Sequence, residues 1–370
     1  MPYILILIIY TTLIIFQIIG FDRIGLFLLE DNVVTQQKFT VIIPFRNEEE
    51  NITQLAKSLM EVNYLKSHFE VFWVNDGSTD NSVPLLTELI IKNHNWKLLD
   101  NQRKSNSPKK DAIQIAIQQS NYDYIITTDA DCIIPKKWLQ IFNNFIDKNK
   151  EVKMIAAPVA YQTNNSFLHQ FQSIDFLSLI GTTIGSFGIN NPFMCNGANL
   201  CYSKQAFYSV NGFEGNNNIA SGDDVFLLEK INNKYSGQVK YLKSVDALVL
   251  TKPENNLKLL INQRIRWASK TSSTNNLFSK LVGIVVVSMN LLIVFGYFII
   301  RDWQIDFNRN FIFIAFMLKI IIDYILIKKT FQFVNQKLSL KDYLLSSLIY
   351  PFFVIFVVFK SFFTKVKWKN

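Results

Sequence analysis

A chain of 370 residues that is 49% hydrophobic, with a mean hydropathy of +0.15 and its apolar residues gathered at the two ends, is not a simple water-soluble domain. Its formal net charge is +9, yet the basic residues are scattered or juxtamembrane and form no stripe interleaved with aromatics. That excludes nucleic acid as the partner and leaves anionic lipid headgroups and an anionic substrate to account for the charge.

In chain order, the first element is the uncharged run "YILILIIYTTLIIFQIIGF" at 3–21. It is about as long as the ~20 residues that cross a bilayer. With no basic stretch before it and no small-residue cleavage site after it, residues 1–22 are expected to be a retained membrane anchor rather than a removed signal peptide.

Residues 38–275 alternate short β-rich runs with helical ones. "KFTVIIPF", "FEVFWVNDGS", "WKLLD" and "DYIITTDAD" predict strands; "NITQLAKSLMEV", "SVPLLTELIIKN" and "DAIQIAIQQS" predict helices between them. This pattern predicts an α/β domain with a mostly parallel central sheet, whose ligands bind beyond the carboxyl ends of the strands. Three of those ends are polar: Arg46, Asn47 and Glu48 follow the first strand, Asn75, Asp76 and Asp80 the second, and Asp129 and Asp131 the fourth. In an extended chain residues i and i+2 face the same way, so Asp129 and Asp131 converge and call for a cation between them. Ser78 and Asp80 alone read as turn and helix-capping residues. The Asn-rich stretch "GNNNIASGDD" reads as a loop, and "SGDDVFLLEKI" after it sets Asp223 and Asp224 at the start of a helix. In "INQRIRWASK", Gln263 and Trp267 share a helical face with Arg266 beside them, which suits either a site or an interfacial helix. Cys132, Cys195 and Cys201 lack metal or redox spacing and read as free buried thiols in a reducing compartment.

A C-terminal membrane region, 281–360, holds about three apolar segments, at 281–300, 311–327 and 343–359. Lys319 and Asp323 stand at i and i+4 in the second, where they can pair, and Pro351 interrupts the third. The connection "KKTFQFVNQKLSLK" is basic while "RDWQIDFNR" is balanced, so the former, and with it the 38–275 domain, is expected in the cytoplasm. The basic tail "KSFFTKVKWKN" conflicts with a fourth full crossing, leaving a re-entrant segment at Pro351 or a different count of crossings.

The order "VIIPFRNEEENI", "VNDGSTDNS", "SNSPKKDAIQIAI", "TTDADC", "NGANLCYSK", "SGDDVFLLEKI" and "QRIRW" resembles the family 2 inverting glycosyltransferases of the GT-A fold, in particular the membrane-bound members related to cellulose and hyaluronan synthases. The resemblance implies a nucleotide-sugar donor, a UDP-sugar for preference, and a sugar or lipid acceptor at the cytoplasmic membrane face. It implies that Asp76, with Pro44 and Glu48 nearby, contacts the nucleotide, and that Asp129 and Asp131 hold the diphosphate through Mg2+ or Mn2+. Lys109 matches a donor-side lysine, although Pro108 stands where the family has glycine; Lys110 is the alternative. Asp224 is implied as the general base, with Asp223, Gly197, Asn199, Gln263 and Trp267 on the acceptor side and Arg266 stabilising the leaving diphosphate. The link from "QRIRW" to the following span suggests a lipid-linked acceptor receiving one or a few sugars; a processive polysaccharide synthase is the alternative. A sugar nucleotidyltransferase would share the scaffold and acids without needing Asp224, Trp267 or the membrane segments, and a scaffold without turnover would be expected to lose some of these positions.

Overall fold

The computed structural model describes residues 2–30, 34, 36–217, 219, 221–300 and 307–364. Residues 301–306 and 365–370, on which the expected orientation of the last segments rests in part, lie outside the described residues. The elements run α1 (Pro2–Arg23), β1 (Phe39–Phe45), α2 (Glu49–Met60), β2 (Phe69–Asn75), α3 (Ser82–Ile91), β3 (Trp96–Asp100), α4 (Pro108–Gln119), β4 (Tyr124–Thr127), α5 (Trp138–Lys148), β5 (Met154–Ala156), β6 (Val159–Tyr161) and α6 (Phe167–Gly188). They continue with β7 (Leu200–Ser203), α7 (Lys204–Ser209), α8 (Asp223–Lys234), β8 (Val239–Tyr241), β9 (Val249–Thr251), α9 (Leu257–Ser273), α10 (Leu277–Ile300), α11 (Phe307–Phe333) and α12 (Leu340–Ser361). The chain divides into two compact units, one holding the described residues of 1–24, 163–193 and 253–366, the other those of 25–162 and 194–252.

The second unit has the expected α/β fold, though residues 163–193 and 253–275, expected within the 38–275 domain, group with the helical unit. Its main sheet has the order β3-β2-β1-β4-β7-β5-β8. Strands β1, β2, β3 and β4 run parallel, as do β5 and β8, while β7 runs antiparallel between β4 and β5. All seven residues of β1 are buried, as a strand covered on both faces should be. Pro44 lies past Ile42, the last β1 residue paired with β4, so its missing N–H leaves that ladder intact. A second small sheet joins β6 and β9 in parallel.

The reversal at β7 positions the site. Because β7 is antiparallel to β4, with Thr127 opposite Leu200, the turn just before β7 stands at the edge where β1, β2 and β4 end. Thr127 Oγ1 donates to the Gly197 carbonyl at 2.7 Å and fixes that turn to the end of β4.

The first unit is helical. By length and composition, Tyr3–Arg23, Leu277–Gly296 and Leu340–Ser361 are long and apolar enough to cross a membrane. Helix α12 runs through Pro351 without a break. Helix α6 lies against α1 through glycine: a Cβ on Gly188 would come 1.9 Å from the Gly20 carbonyl oxygen, and one on Gly185 2.4 Å from that of Gln17. Small residues at such a contact let two backbones approach and gain dispersion where no hydrophobic drive separates helix from lipid. The expected Lys319–Asp323 pair is formed at 2.5 Å, and Tyr10 donates to the same carboxylate at 2.7 Å.

Candidate active site

The loops after β1 and β2 are laced together. Asn47, at a φ of +54°, accepts from Thr79 N at 2.8 Å, and its own N–H donates to Ser78 Oγ at 3.1 Å. Asp80 accepts from the Ser82 and Glu49 amides, each at 3.0 Å, so it ties the starts of α3 and α2 as a capping acid should. Glu48 is buried, its amide donating to Ser82 Oγ at 2.7 Å and its carboxylate accepting from Asn51 at 2.6 Å.

Asp76 is fully buried at the end of β2, where it accepts from Arg103 in a two-pronged pair at 2.7 Å for each oxygen and from Asn101 Nδ2 at 2.7 Å. Arg103 and Asn101, which the motifs do not mark, follow β3, and the strand-end rule applied to "WKLLDNQR" would have found them. Asp111 turns this loop by accepting from the Lys104 and Ser105 amides, both at 2.9 Å.

At the start of α4, Pro108 takes the first helical position, where its missing N–H is harmless. Lys109 Nζ stands 2.7 Å from Asp129 Oδ1 and 3.3 Å from Asp223 Oδ2. Burial acts to lower its pKa, but the carboxylates of Asp129, Asp223 and Asp224 outweigh burial and hold it well above the usual lysine value. Lys110 points elsewhere: it donates to the Asn216 and Ile219 carbonyls at 2.7 and 3.0 Å and lies over the Phe226 ring.

Asp131 accepts from Thr251 Oγ1 at 3.1 Å, which ties it to β9. Burial, then the Asp129 charge, push its pKa up to about 6. Hard carboxylate oxygens near enough for the charge of Asp129 to act on Asp131 suit a divalent cation. Among the described residues no third His, Cys, Asp or Glu joins them, so phosphate oxygens or water would have to complete the coordination shell.

Across from this pair, α8 opens after Gly222, whose φ of +84° is one that residues with side chains avoid. Asp223 and Asp224 in its first turn are both buried. The Asp224 carboxylate accepts from Val225 N at 2.8 Å and from Gly197 N at 3.2 Å. Gly197 is hemmed in: a Cβ there would come 3.0 Å from Asp223 Oδ2 and 3.5 Å from Lys109 Nζ. Asn199, expected on the acceptor side, is buried and engaged with the framework, accepting from Trp138 Nε1 at 3.0 Å and donating to the Pro158 and Ala247 carbonyls at 2.7 Å each.

Gln263, Arg266 and Trp267 belong to the helical unit, on α9. There Gln263 donates to Glu254 at 2.8 Å and Trp267 packs on Phe176. The deeply buried arginine of the motif is Arg264, paired with Asp175 of α6 at 2.6 Å and stacked over Trp267 at 4.2 Å.

Carboxylates and a lysine gather at the carboxyl edge of a mostly parallel sheet, the edge at which open α/β folds bind their ligands. The model of the glycosyl transferase family 2 matches residues 40–210, and the α/β unit has a GT-A-like fold. The chain is 26% identical over 223 residues to the poly-beta-1,6-N-acetyl-D-glucosamine synthase of Staphylococcus epidermidis, covering 60% of this chain and 52% of that protein. It is also 26% identical over 238 residues to the synthase of the same name from Staphylococcus aureus, 64% of this chain and 55% of the relative. The chain therefore spans about half the length of the curated relatives it matches. Among solved structures, the mannosyltransferase PcManGT of Pyrobaculum calidifontis, in complex with GDP-Man and Mn2+, shares the fold with a TM-score of 0.58 at 15% identity, covering 97% of each chain.

Proposed function

We propose that the chain transfers a sugar from a nucleoside diphosphate sugar, a UDP-sugar for preference, to an acceptor hydroxyl with inversion at the anomeric carbon. The observation that carries this is the meeting of Asp129, Lys109, Asp223 and Asp224 at one sheet edge, with Lys109 Nζ 2.7 Å from Asp129 and 3.3 Å from Asp223. Groups suited to a diphosphate thus stand beside a buried carboxylate suited to take a proton. Asp129 and Asp131 would hold Mg2+ or Mn2+, which when bound supplies positive charge against the departing diphosphate. Asp76, fixed by Asn101 and Arg103, offers a rigid polar wall for the base, with Glu48 and Pro44 on the neighbouring strand end. Asp224, oriented by the Gly197 and Val225 amides, takes the proton of the acceptor hydroxyl as its oxygen attacks. A single displacement with one base and no protein nucleophile inverts the centre. For Arg266 and Trp267 the support is the order of the motif in the chain.

The acceptor has two readings. The short step in sequence from α9 to the apolar α10 supports a lipid-linked acceptor receiving one or a few sugars. The names of the staphylococcal relatives support a second, polymerisation of N-acetylglucosamine. Membranes containing the chain, incubated with labelled UDP-N-acetylglucosamine, UDP-glucose and GDP-mannose, are expected to transfer label from one of them and to stop on chelation. No transfer from any donor would sink the reading, and full activity in excess chelator would remove the metal from it. Mass spectrometry of the product then separates a glycolipid carrying a single sugar from a long polymer. We place the sheet unit on the cytoplasmic side from the basic connection at 328–341. A cysteine put at Lys337 should react with impermeant reagent only from that side, and reaction from the other side would reverse the orientation.

A further inference from the structure

Lys109 occupies the place where positive charge is needed before any ligand arrives. Its side chain is 13% exposed, and its ammonium joins the donor-side Asp129 to the acceptor-side Asp223, at 2.7 and 3.3 Å. It also lies 3.5 Å from the position of a Cβ on Gly197, the residue whose amide orients Asp224. One cation thus neutralises carboxylates from α8 and from the end of β4.

We propose that Lys109 is a built-in counter-ion that competes with the divalent cation for Asp129, so that the cation enters the site only together with a nucleoside diphosphate. This rests on the reading given under Proposed function. The physical ground is charge. A bare dication beside Asp129 would meet an ammonium a few ångströms away, and that repulsion weakens its binding. A diphosphate arriving with the cation brings several negative charges, which give the ammonium a new partner and release Asp129 to the metal. Lys109 then serves as a positioning residue: it keeps Asp129 and Asp223 collapsed on one another in the empty site and sets the order in which ligands load. Without such a device the neighbouring carboxylates of Asp129 and Asp131 would attract free cations before any nucleotide arrives.

The test is Mn2+ binding followed by electron paramagnetic resonance on the full chain in detergent, with Mn2+ alone and with Mn2+ plus UDP. Lys109→Met removes the charge while keeping the length, and Lys109→Arg keeps the charge. Lys109→Met is expected to bind bare Mn2+ roughly tenfold more tightly than wild type, and Lys109→Arg to bind it as weakly as wild type. The gain in Mn2+ affinity on adding UDP should be smaller in Lys109→Met than in wild type. A merely structural lysine would weaken Mn2+ binding when removed, not strengthen it. Wild type that binds Mn2+ with UDP, while Lys109→Met binds bare Mn2+ no more tightly, overturns this inference alone. Wild type that binds neither Mn2+ nor Mn2+ with UDP overturns the functional reading and this inference with it. If Lys109→Met and Lys109→Gln both lose their near-ultraviolet dichroism, Lys109 is a framework residue and the inference is likewise overturned.

Discussion

Asp224 takes its orientation from two backbone amides, those of Gly197 at 3.2 Å and Val225 at 2.8 Å, while Asp223 beside it faces the Lys109 ammonium. The division suggests different consequences for the two asparagine variants. Asp224→Asn keeps the shape but cannot accept a proton, so sugar transfer should fall by ~10²–10⁴ with nucleotide binding retained. Asp223→Asn should cost less, acting through Lys109. Single-turnover transfer and nucleotide titration on both variants check this, and the opposite ranking would make Asp223 the base. Asp131 yields a pH dependence. Burial and the Asp129 charge put its pKa at about 6, above the ordinary carboxylate value. The protonated form therefore dominates below that pH, and a cation must displace the proton. Mn2+ affinity measured with UDP present should be level above pH 7 and fall about tenfold per unit below pH 6, a dependence that Asp131→Asn should abolish. Folding without the ion has the opposite sign: ionising Asp131 removes stability as pH rises through about 6, so the ion-free protein gains from acidification at this residue while the affinity for the cation falls. Asp129, Asp131 and Asp76 were legible in the sequence because carboxylates at strand ends have few other reasons to cluster. Arg103 carries no motif: its place after β3 marks it as a strand-end residue, but an arginine in a polar loop looks the same whether it is solvated or clamped on a buried aspartate.

Among the elements, β1 to β4 and the helices between them were legible because their apolar periods are long and bounded by turn residues. Strands β5, β6, β8 and β9 have three residues each, too few for alternation to speak, and the antiparallel insertion of β7 is a matter of topology that no local pattern encodes. Helix α6 escaped for another reason. Gln172, Asp175 and the glycines break up its apolar run, yet in the structure Asp175 is paired with Arg264 and the glycines are the contact with α1. That contact is testable. A Cβ at Gly185 would sit 2.4 Å from the Gln17 carbonyl oxygen, backbone that cannot swing aside. Gly185→Val should therefore force α1 and α6 apart and lower stability by about 1–3 kcal/mol or more. Thermal unfolding in detergent reads the loss; an unchanged midpoint would mean that the two helices do not meet there. Gly25, with nothing within 4 Å of its Cβ position, is the control.

For the molecule as a whole, the helical unit poses the question of why a charged pair sits in an apolar helix. Lys319 and Asp323 lie in the middle of α11, with side chains only 9% and 17% exposed. Two other helices surround them: Tyr10 of α1 donates to Asp323, and Lys319 lies 5.4 Å from the ring centres of both Tyr10 and Tyr350 of α12. Taking one partner away leaves a desolvated charge, a loss of about 3–5 kcal/mol, whereas replacing both by apolar residues of similar volume is often neutral or stabilising. Lys319→Leu and Asp323→Leu should each lower the unfolding midpoint in detergent, and the double variant should recover most of that loss. Tyr10→Phe should cost less than either single variant, because the lysine remains to satisfy Asp323. Recovery of stability with sugar transfer intact would make the pair a device for setting the register of α1, α11 and α12. Recovery of stability with transfer lost would give the pair a part in handling the acceptor, since the fold would then be sound and only the charge missing. A double variant no more stable than the singles would mean that the pair is worth more than the apolar packing that replaces it, and that the three helices are held together at this point by electrostatics.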